Sequence, residues 1–467
     1  MKSILFITYT HSNGGGAESL LTTYVNELCK KDYKITIFEI ERFYQKKEPI
    51  DKKVILKKLP LHYSKVNLYS LLFNRSNFYL LYNKPELLKT VFNLDNFDIV
   101  ITWNYQLPSF MLPAFKNSYK IGYFHTDIND LDISNVEKTN IDIIYANKMQ
   151  YDVWLTADKI ITISNNSYRS MQNVFPSFVD KTSIINNGVN ANEVLTKANE
   201  KLSHIKLNDN NIHIACFGRV DKNKNFKLLI LALKKVLEVL PNVDLLIIGK
   251  GDEEENLKAL TKKLNIENTV LFLGYQQNPF PIMKKASVIC ISSFTEGWSM
   301  VAMEAITLNI PFVTTAVSGA SEELSNNNKC GLVAKWDEED YAKKILQILQ
   351  NKQLYENMQN EQKLIANKYT LENSIKQFCE IFDAVQNQNK EKTSKLNYVK
   401  YIFATLLLVD ITSFKNAIKR FFDEQTFINF LKIIYRFTRC FIKMILSYIF
   451  IPIKIIVLPF YLLQTRR

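Results

Sequence analysis

Ser292–Thr315 reads SSFTEGWSMVAMEAITLNIPFVTT, and it continues the apolar run ASVICISS that ends at Ser293. Val288 to Ile291 has the length and branching of a buried strand. Ser299 is a good N-cap for a helix whose apolar face is Val301, Ala302, Ala305 and Ile306. Strand, loop and helix in that order are the repeating unit of a parallel α/β sheet. Glu296 falls in the loop at the helix mouth, with Gly297 beside it, and Glu304 lies about a turn and a half further in. Between them the amides of Trp298, Ser299, Met300 and Val301 stand at the positive end of the helix dipole. Carboxylates accept from sugar hydroxyls, and bare helix amides suit phosphate. One short segment therefore offers both halves of a site for a phosphorylated sugar.

The upstream stretch NIHIACFGRVDKNKNFKLLILALKKVLEVLPNVDLLIIGKGDEEENL supplies the counter-charges. His213 to Phe217 reads as a buried strand ending at Gly218, and Phe226 onward as an amphipathic helix. Arg219 and Lys224 stand in the polar loop between them. Two fixed cations at the carboxyl end of a parallel strand suit a diphosphate leaving group, whose charge grows as a glycosidic bond breaks. A solvated loop also fits, since Lys222 and Lys227 are close by. A second strand, Val243 to Ile248, ends in Gly249-Lys250-Gly251. The acids from Asp252 to Glu255 are favourable charges at a helix start.

GRVDKNKN, LLIIGKGD, FLGY and EGWSMVAME, in that order, resemble the carboxyl-terminal half of the family-4 retaining glycosyltransferases of GT-B fold. In the first half, NGGGAE resembles that family's glycine-rich loop, and GYFHTD carries a histidine at its usual place. ADKIITISNNS and IINNGVN resemble its stretches before the interdomain crossover and linker. The likeness covers roughly residues 1 to 388. It implies an α/β chain with two Rossmann-like doubly wound domains facing a cleft, of the type that builds bacterial surface polysaccharides. It implies transfer from a nucleotide diphosphate sugar with retention, by front-face attack in which the leaving phosphate helps to deprotonate the acceptor. Glu304 then binds the ribose and Glu296 the sugar hydroxyls, while Arg219, Lys224 and the helix amides stabilise the departing diphosphate. Gly218 and Gly249 join the nucleotide-sugar contacts. Trp298-Ser299 departs from the family's usual aromatic-glycine pair, and this clouds the choice of donor sugar.

Gly14, Gly15 and Gly16 let the backbone approach a ligand as it turns into a helix with the buried stripe Leu20, Leu21, Tyr24, Val25 and Leu28. His125 follows the strand Lys120 to Phe124, and the resemblance gives it a substrate contact. Asp130-Leu131-Asp132 matches a metal motif of a different glycosyltransferase fold, but it lies outside the nucleotide half. No metal is assigned, and metal-independent transfer is expected.

A chain of 467 residues, 47% hydrophobic and 22% charged, can bury two ordinary cores. Its six cysteines are scattered without a CxxC pair, which argues for reduced thiols in a cytosol and against a disulfide framework or zinc site. The opening MKSILFITYTHSNGGG has too short an apolar run for a secretory signal. The expected division is an acceptor-binding domain over 1–200, with a linker near Asn187 to Asn211, and a nucleotide-sugar-binding domain over 201–370. TLENSIKQFCEIFDAVQNQ supplies a helix, 371–389, that returns to the first domain.

Residues 390–467 form a basic helical tail, with 14 Lys and Arg against four acids, so most of the chain's +13 lies there. Lys432, Arg436, Arg439 and Lys443 fall on one helical stripe, and Phe430, Ile434, Phe437, Phe441 and Ile445 fall opposite. That is the pattern of a helix lying in an anionic membrane interface. Pro452, Lys454 and Pro459 break the apolar run that follows, and a mid-span Lys costs about 2.5–3.5 kcal/mol. Packing on the protein and spanning are the weaker readings. Nucleic acid is not the expected partner, because the aromatics line a continuous apolar face. In the first half, Lys46 to Lys58 and LYSLLFNRSNFYLLYN fit either a lipid-facing surface or, for the second run, a core helix.

The sequence thus points to a cytoplasmic enzyme, peripheral on the inner face of the membrane, that extends a lipid-linked glycan. A catalytically idle scaffold of the same fold is the alternative. A dinucleotide oxidoreductase is disfavoured, since Gly249-Lys250-Gly251-Asp252-Glu253-Glu254 lacks a third glycine and places acids where a pyrophosphate binds.

Overall fold

The computed structural model describes residues 1–11, 16–40, 49–58, 85, 86, 89, 94–104, 107–125, 150–202 and 205–386. The readings on Gly14, Gly15, Asp130-Leu131-Asp132, Lys46, LYSLLFNRSNFYLLYN and the tail from Lys390 lie outside these residues. Among the described residues, one compact unit takes in 1–124, 150–160 and 382–386, and the other His125 and 161–381.

The first sheet comprises β1 (Lys2–Thr8), β2 (Tyr33–Glu39), β3 (Ile55–Lys58), β4 (Ile99–Thr102), β5 (Tyr119–Phe124), β6 (Lys159–Thr162) and β7 (Thr182–Ile184). Their order is β3-β2-β1-β4-β5-β6-β7, and β1 runs parallel to β2 with Lys2 opposite Tyr33. Ile4 to Ile7 are fully buried, as a strand covered on both faces requires. Helix α1 (Gly16–Leu28) buries Leu20, Leu21, Tyr24, Val25 and Leu28, the stripe read from the sequence. Helix α2 (Asn165–Val174) begins at Ser164, whose hydroxyl accepts from the Ser167 amide.

The expected linker is not extended throughout. Residues Ala191–Ala198 form helix α3, because the Asn190 side chain accepts from the Glu193 amide and Val194 and Ala198 are buried.

The second sheet comprises β8 (Ile212–Phe217), β9 (Val243–Ile248), β10 (Val270–Gly274), β11 (Val288–Ile291), β12 (Phe312–Thr315) and β13 (Gly331–Ala334), in the order β10-β9-β8-β11-β12-β13. Its helices are α4 (Phe226–Val239), α5 (Glu254–Lys263), α6 (Phe280–Met283), α7 (Met300–Thr307), α8 (Glu338–Gln350), α9 (Lys352–Ala366) and α10 (Leu371–Ala384). Phe226, Leu229, Leu233 and Val236 of α4 share a core with Tyr341 and Ile345 of α8. Each such side chain contributes about 1.5–3 kcal/mol by leaving water. Tyr341 keeps its polar end satisfied by donating to the Val313 carbonyl at 2.8 Å.

Both sheets are doubly wound, and the strand order reverses once in each, between β1 and β4 and between β8 and β11. Crossovers leave the reversal point on opposite faces, so a crevice opens outside the carboxyl ends of those two strands. At the end of α10, Lys2 donates to the Phe382 carbonyl at 2.6 Å, and Tyr33 to Asp383 at 2.7 Å. Among the described residues no helix is long and apolar enough to cross a membrane.

Candidate active site

The crevice of the second sheet is framed by the loops after β8 and β11. Their lock is Asn223. Its side-chain oxygen accepts from the Thr295 amide at 3.2 Å and the Thr295 hydroxyl at 3.1 Å, and its NH₂ donates to the Thr295 carbonyl at 3.1 Å. The Phe294 amide donates to the Asn223 carbonyl at 2.8 Å, and the Ser292 hydroxyl to the Lys224 carbonyl at 2.7 Å. The two loops therefore move as one piece. Residues 72 apart in the chain are held together by an amide side chain that makes bonds in both directions.

That lock brings the first cation and the first carboxylate into contact. Lys224 Nζ donates to Glu296 Oε1 at 2.5 Å, and the Ser293 hydroxyl donates to the same oxygen at 2.7 Å. Both charges are largely shielded from water, which strengthens their attraction. The second Glu296 oxygen makes no hydrogen bond among the described residues. Arg219 differs: its side chain is 82% exposed and, among the described residues, pairs with Asp221 at 3.3 Å. It stands ready to swing onto an anion, while Lys224 is fixed in advance.

The backbone around the pair is shaped by glycine. Gly218 and Gly249 end β8 and β9 with φ of +139° and +146°, a region that side chains disfavour. A Cβ on Gly249 would sit 1.7 Å from the Gly218 carbonyl oxygen, and one on Gly218 would meet Lys224 Cε at 3.0 Å. The strand ends thus close on each other, and the lysine stem lies across bare backbone.

Helix α7 begins where the sequence expects. Ser299 is its N-cap and accepts from the Ala302 amide at 3.3 Å, a contact worth about 1 kcal/mol. Among the described residues none of the amides from Gly297 to Val301 donates to a main-chain acceptor outside the helix, so the helix mouth is open to an anion. Trp298 contributes its amide only. Its ring is buried, edge-on to Tyr369 with centroids 5.2 Å apart, and anchors the loop.

Glu304 lies on α7 with part of its side chain at the surface, and its carboxylate makes no hydrogen bond or ion pair among the described residues. Burial pushes its carboxyl up to about 8. An unpartnered acid whose charge is disfavoured can take donors, such as those of a pair of vicinal hydroxyls.

The structure thus brings together Gly218, Arg219, Lys224, Gly249, Glu296, Gly297, Trp298, Ser299, Met300, Val301 and Glu304. His125 follows β5 and Gly16 opens α1, and Gly15 lies outside the described residues. Sequence reasoning missed Asn223, Ser293 and buried Glu39. Glu39 ends β2 and accepts from the His11 amide at 2.7 Å, with the His11 ring against the same carboxylate. The signal for Asn223 was its place in KNKN beside the cations, a composition that reads equally as a solvated loop.

Two family models match the chain in tandem: Glycosyltransferase Family 4 over residues 14–193, and Glycosyl transferases group 1 over residues 198–364. An uncharacterized glycosyltransferase of Haemophilus influenzae is 26% identical over 385 residues, covering 81% of this chain and 99% of that protein. The N-acetylgalactosamine-N,N'-diacetylbacillosaminyl-diphospho-undecaprenol 4-alpha-N-acetylgalactosaminyltransferase of Campylobacter jejuni is 32% identical over 184 residues, which is 39% of this chain and 48% of that one. This second match therefore spans just under half of its relative. The crystal structure of Anabaena HepE in complex with UDP shares the fold, with a TM-score of 0.63 at 18% identity, covering 82% of this chain and 100% of that chain.

Proposed function

The chain belongs to the family-4 glycosyltransferases of GT-B fold, and on that premise we propose that it moves a sugar from a nucleotide diphosphate sugar to a lipid-linked glycan with retention at the anomeric carbon. The observation that carries the reading is the fixed Lys224–Glu296 pair at the β8/β11 crevice, set beside an open helix mouth and an unpartnered Glu304. Glu304 takes the ribose hydroxyls, the amides of α7 and Arg219 take the diphosphate, and Glu296 takes the hydroxyls of the transferred sugar. As the bond from the anomeric carbon to the diphosphate oxygen breaks, negative charge collects beside Lys224 and Arg219. The acceptor oxygen bonds to the same face of that carbon, and its proton passes to the departing phosphate. His125, Gly15 and Gly16 are assigned to substrate contact. These two cations offset the diphosphate charge, so activity is expected to survive EDTA.

The donor class is supported by the UDP held in the Anabaena structure, and the acceptor class by the diphospho-undecaprenol in the name of the Campylobacter relative. A donor screen with purified protein, a panel of nucleotide sugars and an acceptor extract tests the reading, with free nucleoside diphosphate and product anomeric configuration as readouts. Inverted product would remove the retaining mechanism, and no release from any donor would remove the enzyme reading.

Glu304 makes the nucleotide contact depend on pH. Ribose hydroxyls donate to the carboxylate, so the bound form is ionised, whereas the free form is protonated below about 8. Affinity for UDP should therefore rise between pH 7 and 8 and level off above, a range in which the terminal phosphate, with a pKa of about 6, is already ionised. Binding at pH 7 should release a proton, read by titration calorimetry in buffers of different ionisation heat. The same shift disfavours the charged folded form, so Glu304 withdraws stability as pH climbs from the ordinary carboxylate range towards 8. An affinity that is flat from pH 7 to 9, with no proton release, would contradict the ribose role.

The tail is assigned to the anionic membrane surface on the cytoplasmic side, where a lipid-linked acceptor is found. Truncation after Gln388 should leave a protein that binds UDP but no longer sediments with anionic vesicles. Arg436→Glu with Arg439→Glu should mimic that loss at low salt. Aggregation of the truncated chain, or loss of its UDP binding, would mean that the tail packs on the catalytic units instead.

A further inference from the structure

Two large apolar side chains stand bare beside Glu296. Phe294, three residues past β11, is 51% exposed, and Trp336, two residues past β13, is 48% exposed. Both follow strands of one parallel sheet, so they share its carboxyl edge with the Lys224–Glu296 pair. Of the chain's four tryptophans, Trp103, Trp154 and Trp298 are buried, and Trp336 alone offers its ring to solvent.

The exposed indole is not loose. Its Nε1 donates at 3.2 Å to the Ser293 carbonyl, which also accepts from the Thr315 hydroxyl at 2.6 Å. The Ser293 hydroxyl donates to Glu296, so a single residue joins the indole to the carboxylate. Phe294 is held by its amide on Asn223. A hydrophobe held half in water forfeits burial energy, and a side chain fixed in advance loses little entropy when something covers it. Aromatic surface with a few placed polar groups is the make-up of a small-molecule wall. Here the polar group is an acceptor carboxylate. A pyranose presents an apolar face of C–H groups to the ring and donor hydroxyls at its rim to the carboxylate.

We infer that Trp336 is a sugar-stacking wall of this site and covers one face of a pyranose ring. The ring is the donor's hexose or the terminal residue of the acceptor glycan. The inference rests on the reading of Glu296 as the acceptor of sugar hydroxyls.

Acrylamide quenching of the full chain's tryptophan emission tests it, because the accessible fraction reports Trp336. UDP should leave the quenching unchanged. UDP-glucose or UDP-N-acetylgalactosamine should reduce it if the donor's ring stacks, and the glycan acceptor should reduce it if the acceptor's ring does. Trp336→Ala should weaken that same partner about tenfold, the scale of one good aromatic contact, and leave UDP affinity unaltered. Trp336→Phe, which keeps a ring and loses the bond to Ser293, should stay within about threefold of wild type. If both substitutions lower UDP affinity alike, the indole merely props Ser293, and the wall is refuted. Unchanged sugar affinities in Trp336→Ala refute it too, as does protection by anionic vesicles with none by sugars. Should UDP fail to bind the wild-type chain, the donor reading falls, and methyl α-D-galactopyranoside then decides the wall alone: protection of Trp336 keeps it and no protection removes it.

Discussion

Lys224→Ala should lower turnover by about 10²–10³, the scale for removing one preorganised charge-stabilising donor, while the protein stays folded. The ammonium is the one cation of the site already in place, 2.5 Å from Glu296. Its removal deletes the charge opposite the departing diphosphate. Among the described residues it also leaves the Glu296 carboxylate with the Ser293 hydroxyl alone, so the carboxylate that should orient the sugar loses a fixed partner. The fold has little reason to change. The Lys224 amide donates to the Asp221 carboxylate at 3.0 Å, and its carbonyl accepts from the Ser292 hydroxyl at 2.7 Å; both use main-chain atoms of residue 224 that alanine retains. Arg219→Ala should cost less, because that side chain is mostly in water before a ligand arrives. Steady-state kinetics beside a thermal melt checks this. Turnover within threefold of wild type in folded Lys224→Ala would remove the leaving-group role.

Gly249→Ala should act on the fold itself, lowering stability by at least about 3 kcal/mol. The added Cβ would lie 1.7 Å from the Gly218 carbonyl oxygen and 2.9 Å from its carbon. Backbone cannot rotate away as a side chain can, so the ends of β8 and β9 must part. Alanine is also strained at φ +146°. The Gly249 amide donates to the Gly274 carbonyl at 2.9 Å, which carries the disturbance into β10. Lys250→Ala, one residue on with an exposed side chain, is the control and should stay within about 0.5 kcal/mol of wild type. Denaturant midpoints compare the two. A wild-type midpoint for Gly249→Ala would mean that the strand ends are not packed as described.

What could be read from sequence was what repeats locally. The strand Val288–Ile291 is a run of apolar residues, and Val243–Ile248 is one apart from Asp244; burial on both faces of a parallel sheet leaves that trace. Ser299 before an apolar periodic run marks a helix start, because few residues satisfy the first amides. Helix α3 escaped notice because eight residues hold barely two turns, and the helix depends on its Asn190 cap rather than on a long stripe.

The site was legible as a set of chemical types and illegible as a network. Arg219, Lys224, Glu296 and Glu304 could be named because their charges and places after strands suit the task. Their mutual arrangement depends on Asn223 bridging to Thr295, and a bond between loops 72 residues apart has no local period. Trp298 shows the same limit. Its amide was placed by the helix start, whereas its ring depends on Tyr369, far along the chain. Trp336 could not be singled out, because an aromatic after a strand is most often buried, and only the structure shows it bare and fixed to Ser293.

The division of labour between the two glutamates is the central claim, and titration calorimetry of UDP against wild type, Glu296→Ala and Glu304→Ala tests it most directly. Glu304→Ala should weaken UDP itself, because the ribose loses its acceptor. Glu296→Ala should bind UDP as wild type does and fail only when the hexose is present, with weaker UDP-sugar binding and slower transfer. Equal loss of UDP affinity in both variants, or wild-type UDP affinity in Glu304→Ala, would contradict the account.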